Sequence, residues 1–368
     1  MLIIGAFYPK PDVDSGSISI TTFMRMAMSL GFDVSHAVPS DFRPTAAARG
    51  TLEAMGIRVI GAPEHRSLQA FLETSGHRFA VVVLSSYVTA APAYPLVRQR
   101  CPQARVIFNA VDMHHIRYAR EAKVTGSAET ARRAEDAWRK ELALVQHCEA
   151  TIVVSDTERE RLRSVVPDGR VFHIPLIREI PGRINGFAAR ADIAFVGHYR
   201  HPPNPDAVLA FAALMWPKIH AALPGVRFKM IGAGWPPEAP LPAGEAIDLV
   251  GHVPDMTPVL EGLRLTVAPL RFGAGAKGKI VTSVAHGVPV VATPIGAEGM
   301  GFTDGVDMMI ASNVDVFAEK AVALYTDEAL WTRISDAGID FVRRHHSFEH
   351  GVALVSAMLA SVGVPVAA

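Results

Sequence analysis

The chain has 368 residues, 49% of them apolar and 20% charged, and its 36 lysines and arginines balance 36 aspartates and glutamates. That length supports two domains with full cores, and the composition excludes a disordered chain. Zero net charge argues against a duplex nucleic-acid binder, which carries a basic excess. Two cysteines, Cys101 and Cys148, fall in no metal or redox spacing and read as thiols of a reducing compartment. The opening MLIIGAFYPKPD lacks the basic start and apolar run of a signal peptide. No stretch approaches the ~20 apolar residues of a membrane span. The expectation is a cytoplasmic protein, and peripheral contact with a membrane surface is compatible with it.

Short apolar runs alternate with amphipathic segments throughout. Residues 2–6 read as a first strand, and 18–30 as a helix with Ile20, Phe23, Met24, Ala27 and Leu30 on one face. Residues 33–38, 57–60, 79–84 and 105–109 read as further strands with helical segments between them, and 128–147 as a long charged helix. A strand at 151–154 leads into Ser155, with Glu158 three positions on, the spacing of a capping box. Residues 171–174 close this half. Residues 175–190 are polar, hold Pro and Gly, show no periodicity, and read as a linker.

A second alternating series follows, with strands at 192–196, 226–231, 248–250, 263–269 and 288–292. Helices are expected from Pro205 to about Ala222, at 313–325 and 328–344, and in the tail at 349–362. Two blocks of strand–helix alternation predict an α/β protein with two doubly wound parallel sheets, whose ligands bind at the carboxyl ends of the strands.

The richest segment is RFGAGAKGKIVTSVAHGVPVVATPIGAEGM, Arg271 to Met300. Arg271, Gly273, Gly275, Lys277, Gly278 and Lys279 fall within nine residues. Small residues let a ligand approach the backbone, and a helix start favours an anion. Two lysines add positive charge there, so the segment reads as a site for a phosphorylated ligand. Gly273 to Gly278 also matches the dinucleotide pattern GxGxxG, but it sits in a late strand–helix turn rather than the first one of its domain. His346 to His350 matches HxxEH, but no acid follows to complete a zinc site. Ser347 reads instead as a helix cap with Glu349 in the first turn.

The Arg271–Met300 segment resembles the donor region of retaining family 4 glycosyltransferases with the GT-B fold. GAFYPKPDVDSGS, IVVSDTERERL, DIAFVGHYRHPPNPDAV, VRFKMIGAG and LVGHVPDMTPVL resemble other parts of that fold in the expected order. RRHHSFEHGVALV resembles its terminal helix. The likeness is strongest over 190–300. It implies two Rossmann-like domains facing a cleft: an acceptor-side domain at 1–180, a nucleotide-sugar domain at 181–345, and a helix at 346–368 crossing back. It also implies transfer from a nucleotide-diphosphate sugar, UDP- or GDP-linked, to an acceptor hydroxyl with retained configuration and without a metal or other cofactor. The acceptor class stays open among a glycan, a lipid-linked glycan, a protein and a small molecule, and polysaccharide biosynthesis is the common role of look-alikes.

Members of that family carry two glutamates seven residues apart, and those positions fall at Ala274 and Thr282 here. Their usual Arg and Lys after the first strand of the second domain fall near His198 and Asn204. The resemblance therefore implies donor contacts from Gly16, Gly197, His198, Asn204, Arg271, Gly273, Gly275, Lys277, Lys279, Thr282 and Glu298. Asp112 and His114, following the strand at 105–109, are the catalytic candidates, since transfer needs polar groups near the anomeric carbon and a route for the acceptor's proton. Arg117 and Arg120 read as surface charges, with binding of an anionic acceptor as the alternative, and Trp138, Trp216 and Trp235 read as packing residues. Three alternatives stand beside the transferase: a catalytically silent binder of nucleotide-sugar or a partner, supported by the missing glutamates; a GT-B sugar-nucleotide epimerase, compatible with the His-rich segment at 112–115; and a cofactor-dependent oxidoreductase.

Overall fold

The computed structural model describes residues 1–11, 13–236, 238–239, 241–242 and 244–366. It divides into two compact units: Met1–Pro11, Gly16–Pro175 and Phe348–Ala368 form the first, and Asp12–Ser15 with Leu176–Ser347 form the second.

The first unit holds strands β1 (Leu2–Ile4), β2 (Ser35–Ala37), β3 (Arg58–Ile60), β4 (Val81–Ser85), β5 (Arg105–Asn109), β6 (Ala150–Val153) and β7 (Val171–His173). All pair in parallel, in the order β3-β2-β1-β4-β5-β6-β7. Helices lie between them: α1 (Ser15–Ser29), α2 (Ala46–Ala54), α3 (Leu68–Ser75), α4 (Tyr87–Arg100), α5 (His114–Thr125), α6 (Ala128–His147) and α7 (Asp156–Val165). A parallel sheet covered on both faces needs apolar side chains on both, and the five residues of β4 are all buried. Helix starts are set by local chemistry: Ser67 caps α3 and Ser127 caps α6, each through a backbone N–H three residues on.

The second unit repeats the plan with β8 (Ala191–Val196), β9 (Phe228–Ile231), β10 (Ile247–Gly251), β11 (Leu263–Ala268), β12 (Val290–Ala292) and β13 (Met309–Ile310), in the order β10-β9-β8-β11-β12-β13. Its helices are α8 (Pro203–Ala210), α9 (Trp216–Ala222), α10 (Met256–Gly262), α11 (Gly278–Ala285), α12 (Pro294–Ala297), α13 (Val314–Thr326) and α14 (Glu328–His345). The last helix, α15 (Phe348–Ser361), counts with the first unit. The core of the second unit gathers Phe195, Phe211, Trp216, Phe228, Phe317 and Trp331. In both sheets the order reverses beside the first strand, between β1 and β4 and between β8 and β11. Such reversal points are where open α/β sheets bind ligands, beyond the strands' carboxyl ends.

Several sequence expectations need correction. Most strands of the first unit are shorter than their apolar runs, because the flanking residues leave the ladder, and α1 begins three residues before Ile18. The helix expected from Pro205 starts at Pro203, since proline fits a first turn. It then passes through a five-residue π segment, Phe211–Met215, before α9. The two-residue β13 carries too little pattern to be read. The capping box fails: the Ser155 side chain makes no cap hydrogen bond, and Glu158 Oε1 accepts the N–H of Met113 at 2.9 Å. The supposed linker is irregular but held. Leu176, Ile177 and Arg178 are buried, Gly182 donates to the Ala285 carbonyl, and buried Arg190 pairs with Glu261 at 2.6 Å. No helix among the described residues is long and apolar enough to cross a membrane.

Candidate functional site

In the second unit, β8, β11 and β12 lie side by side, so the segments after their carboxyl ends are neighbours. They carry Gly197, His198 and Asn204; Arg271 to Thr282; and Glu298, at the end of α12. In the glycine loop, Gly273 and Gly275 have φ of 154° and 63°, conformations costly for any residue with a Cβ. The loop ends in α11, whose N-cap position is Lys277, a residue whose own side chain makes no cap hydrogen bond, while Met300 Sδ accepts the Lys277 N–H at 3.2 Å. Its positive end is therefore left for an anion.

Cations surround that end. Lys277 is buried, with Nζ donating to the Gly275 carbonyl at 2.6 Å. Lys279 Nζ donates to Asn204 Oδ1 at 2.6 Å and lies 3.9 Å from the centroid of Phe195. Burial, reinforced by the like charge of Lys277, pushes the Lys279 pKa down to about 7. Asn204 in turn donates to the His198 carbonyl at 2.8 Å, so Lys279 and Asn204 tie the glycine loop's helix to the segment after β8. The half-buried His198 accepts the Arg200 N–H on Nδ1 at 3.2 Å.

Arg178 is a cation that the sequence reading missed. Its guanidinium lies 2.8 Å from where a Cβ on Gly278, the first residue of α11, would stand. It donates to Ser15 Oγ at 2.5 Å and to the Ile177 carbonyl at 2.8 Å, and burial lowers its pKa to about 10. No motif marks it, because it sits in the irregular segment taken for a linker. Asp206, on α8, was also missed. It pairs with both nitrogens that Arg271 turns toward it, so Arg271 reaches the loop already half-neutralised. Thr282 lies in the second turn of α11, half-buried, with its carbonyl accepting His286 Nδ1 at 2.8 Å. Glu298 is half-buried.

In the first unit, Gly16 is the second residue of α1, after β1. Asp112 and His114 occupy the turn from β5 into α5. Val111 in that turn has φ of 67°, a strained backbone for a β-branched residue. Ser86, after the adjoining β4, has φ of 65°. Strain of this kind persists only where surrounding bonds enforce it. Here Asn109 Oδ1 accepts the Val111 N–H at 3.2 Å, and Glu158 takes that of Met113. Glu141, from α6, accepts the His114 N–H at 2.7 Å on Oε1, and on Oε2 the His115 N–H at 3.3 Å and His115 Nδ1 at 2.7 Å. Glu141 is 0% exposed. The turn thus rests on two carboxylates many residues away: Glu141, which the sequence did not single out, and Glu158, which it assigned to a capping box.

Within it, His114 Nδ1 lies 3.1 Å from the Asp112 carbonyl and 3.2 Å from Asp112 Oδ1. Asp112 Oδ2 accepts from Arg117 Nε at 3.0 Å. Arg117 is thereby a buried partner of the turn, not the surface charge expected. Burial works against its charge, but the Asp112 carboxylate leads a set of neighbours that hold its pKa above the ordinary value. The Tyr87 ring meets His114 edge-on at 4.9 Å, and its hydroxyl is pushed up to about 12, first by burial. Trp138 packs on His115 and Trp216 lies in the core. His346 is buried with Nδ1 on the Leu176 carbonyl at 2.7 Å. Among the described residues no cluster of three His, Cys, Asp or Glu side chains is arranged to hold a metal ion.

Residues 190–327 match the family of glycosyl transferases, group 1. No curated protein matches the sequence. The fold is similar to sucrose-phosphate synthase from Thermosynechococcus elongatus, with TM-score 0.75 and 14% identity over 98% of each chain. It is also similar to HepE of Anabaena in complex with UDP-glucose, with TM-score 0.71 and 13% identity over 98% of this chain and 99% of that one. A glycosyltransferase from Rickettsia africae matches with TM-score 0.64 and 11% identity over 98% of each. The architecture is that of the two-domain, Rossmann-like GT-B glycosyltransferases.

Proposed function

We propose that this chain, which carries a group 1 glycosyl transferase domain in its second unit, transfers a sugar from a nucleotide-diphosphate sugar to an acceptor hydroxyl. The carrying observation is the start of α11, a helix end whose N-cap residue is a lysine that makes no side-chain cap, reached through a glycine loop and approached by Arg178, Lys277 and Lys279. A leaving diphosphate gathers negative charge as its bond to the sugar breaks, and preorganised cations and helix N–H groups stabilise that charge. These side chains supply the neutralisation that a metal ion gives in other sites. In this reading Gly197, His198 and Asn204 bound the donor from the segment after β8, while Thr282 and Glu298 meet ribose or sugar hydroxyls. Gly273 and Gly275 let the backbone approach the ligand.

The first unit takes the acceptor, with Asp112 and His114 at its reacting hydroxyl and Gly16 at the head of α1. Retention of configuration follows the resemblance to family 4. The UDP-glucose held by HepE favours a UDP-sugar as the first donor to try, with GDP-sugars next. Glycan and polysaccharide acceptors, free or lipid-linked, suit a cytoplasmic or membrane-peripheral enzyme of this kind.

A thermal-shift series with UDP, GDP, CMP, dTDP and NAD tests this reading, because a ligand of the native state raises the unfolding midpoint by mass action. One nucleoside diphosphate should raise it clearly. No shift with any diphosphate, or a shift with NAD alone, would overturn it. A second reading, a silent binder of the same donor, draws on Ala274 and Thr282, which stand where the family carries carboxylates. It predicts diphosphate binding with no release of sugar from the bound donor.

A further inference from the structure

We propose that the first unit carries a second ligand site, for a sugar bearing a carboxylate or phosphate, in a cleft at the amino ends of β5, β6 and β7. The proposal does not rest on the transferase reading, since the carboxyl ends of these strands lie at the other end of the sheet.

The cleft has a volume of about 610 Å³, within the ~300–1,000 Å³ of small-molecule sites. It is lined by the residues that open three neighbouring strands: Arg105 of β5, Glu149 before β6 and Arg170 before β7. The carboxyl-terminal ends of three helices complete it, with Gln146 of α6, Asp168 after α7 and Ser361 of α15. All of these residues belong to the first unit.

The charges in the cleft do not cancel. Glu149 is already engaged: Arg98, outside the lining, donates to its two oxygens at 2.6 and 2.7 Å, and the Val106 N–H donates to Oε2 at 2.7 Å. The Cys148 thiol stays neutral, its pKa pushed up to about 12 by burial. That leaves the guanidinium groups of Arg105 and Arg170 against the carboxylate of Asp168. Among the described residues none of these three has an ion-pair partner.

The two arginines border the same short turn. Arg170 Nη1 donates to the Ser361 carbonyl at 2.8 Å, and Arg105 Nη2 lies 3.7 Å from where a Cβ on Gly363 would stand. A planar fork of N–H donors matches a carboxylate or phosphate. Arginines also collect at helix carboxyl ends merely to offset the dipole. That accounts for Arg170, which meets the last carbonyl of α15, but among the described residues Arg105 makes no such bond.

A bare anion would suit the cleft badly. Three helix ends bring partial negative charge and carbonyls short of donors. The Glu149 N–H, which would close the next turn of α6 on Val145, goes to the Val106 carbonyl instead. Sugar hydroxyls donate to such carbonyls and to Asp168, and accept from the Gln146 amide. A neutral sugar would leave the excess cation unmatched, and an acidic sugar meets both demands.

Titration calorimetry of the full chain with glucuronate, glucose 6-phosphate, glucose and inorganic phosphate tests the site. At least one acidic sugar should bind about tenfold or more tightly than glucose and inorganic phosphate, and which one does names the acid. Arg105→Ala should weaken that binding about tenfold, as a lost charge-assisted contact, and leave UDP affinity within twofold. Lys277→Ala should leave the acidic sugar's affinity unchanged. No binding by either acidic sugar, or glucose or inorganic phosphate binding as well, overturns the proposal even if a variant does not fold. Affinity unchanged in folded Arg105→Ala also overturns it, as does affinity lost in Lys277→Ala, which would move the ligand to α11. Failure of wild type to bind UDP would remove the transferase reading alone.

Discussion

Two helix starts in this molecule are built on the same plan and carry opposite chemistry. Helix α5 follows β5 in the first unit, and α11 follows β11 in the second; both begin at the carboxyl end of a parallel strand. At α5 the first N–H groups are already met by the buried carboxylates of Glu141 and Glu158. At α11 the N-cap residue is a lysine that makes no side-chain cap, and Arg178, Lys277 and Lys279 gather round it. A filled helix end has nothing left for an anion, whereas an uncapped one ringed by cations invites it. The fold therefore does not decide which unit holds a diphosphate; the side chains brought to each helix end do.

The comparison breaks most directly at Lys277. Lys277→Ala should weaken UDP binding by ~1.5–3 kcal/mol, the range of a lost charge-assisted hydrogen bond, as measured by titration calorimetry. No change at the first unit's turn should move UDP affinity comparably. Unchanged affinity in Lys277→Ala would mean that the diphosphate lies elsewhere and that the contrast between the two helix ends has no bearing on the donor.

Much of the contrast could be read along the chain, and the unread part has a common cause. The glycine loop and its lysines are contiguous, so their local pattern announces a helix end open to an anion. The strand–helix alternation likewise discloses both sheets, because buried parallel strands are continuous apolar runs. Arg178, Asp206 and Glu141 escaped notice, and Glu158 was misassigned, because each acts across the fold on a partner distant in sequence. Glu158 shows the mechanism of the error. Its spacing from Ser155 is that of a capping box, yet its carboxylate turns inward to Met113, 45 residues away. Local pattern assigned it to its own helix, and tertiary packing assigned it to another. Arg117 is a second case: a lone arginine on a charged helix reads as solvated until Asp112 is found five residues back, folded against it.

A smaller effect sharpens the comparison from the other side. Asp112→Asn keeps the shape of the turn and removes the charge that orients His114 and engages Arg117. Turnover of the donor should fall about tenfold, less than the ~10²–10⁴-fold of a full general acid–base contribution, while UDP affinity stays within twofold. Loss of UDP affinity with preserved turnover would reverse the assignment of the two units.

The smallest expected effect lies at Lys279, whose two pH dependences run in opposite directions. Its folded pKa is about 7, against an ordinary value of 10.5, chiefly because the ammonium is buried and secondarily because Lys277 repels it. A base with a depressed folded pKa binds fewer protons than the unfolded chain between the two values. Stability should therefore rise with pH from about 7 upward, and the full penalty of the buried charge applies below that. A bound diphosphate cancels the repulsion from Lys277 and attracts the Lys279 ammonium, so binding near pH 7 to 8 should take up protons and weaken as pH rises. The expected fall in UDP affinity between pH 6 and pH 8 is roughly threefold to tenfold, the worth of half to one pKa unit. Calorimetry in buffers of different ionisation heat reads the proton uptake directly, and thermal unfolding over the same range reads the stability. Lys279→Met should flatten both slopes. If the variant keeps the proton uptake, the titrating group is another one, and Lys279 serves only to tie Asn204 and the segment after β8 to α11.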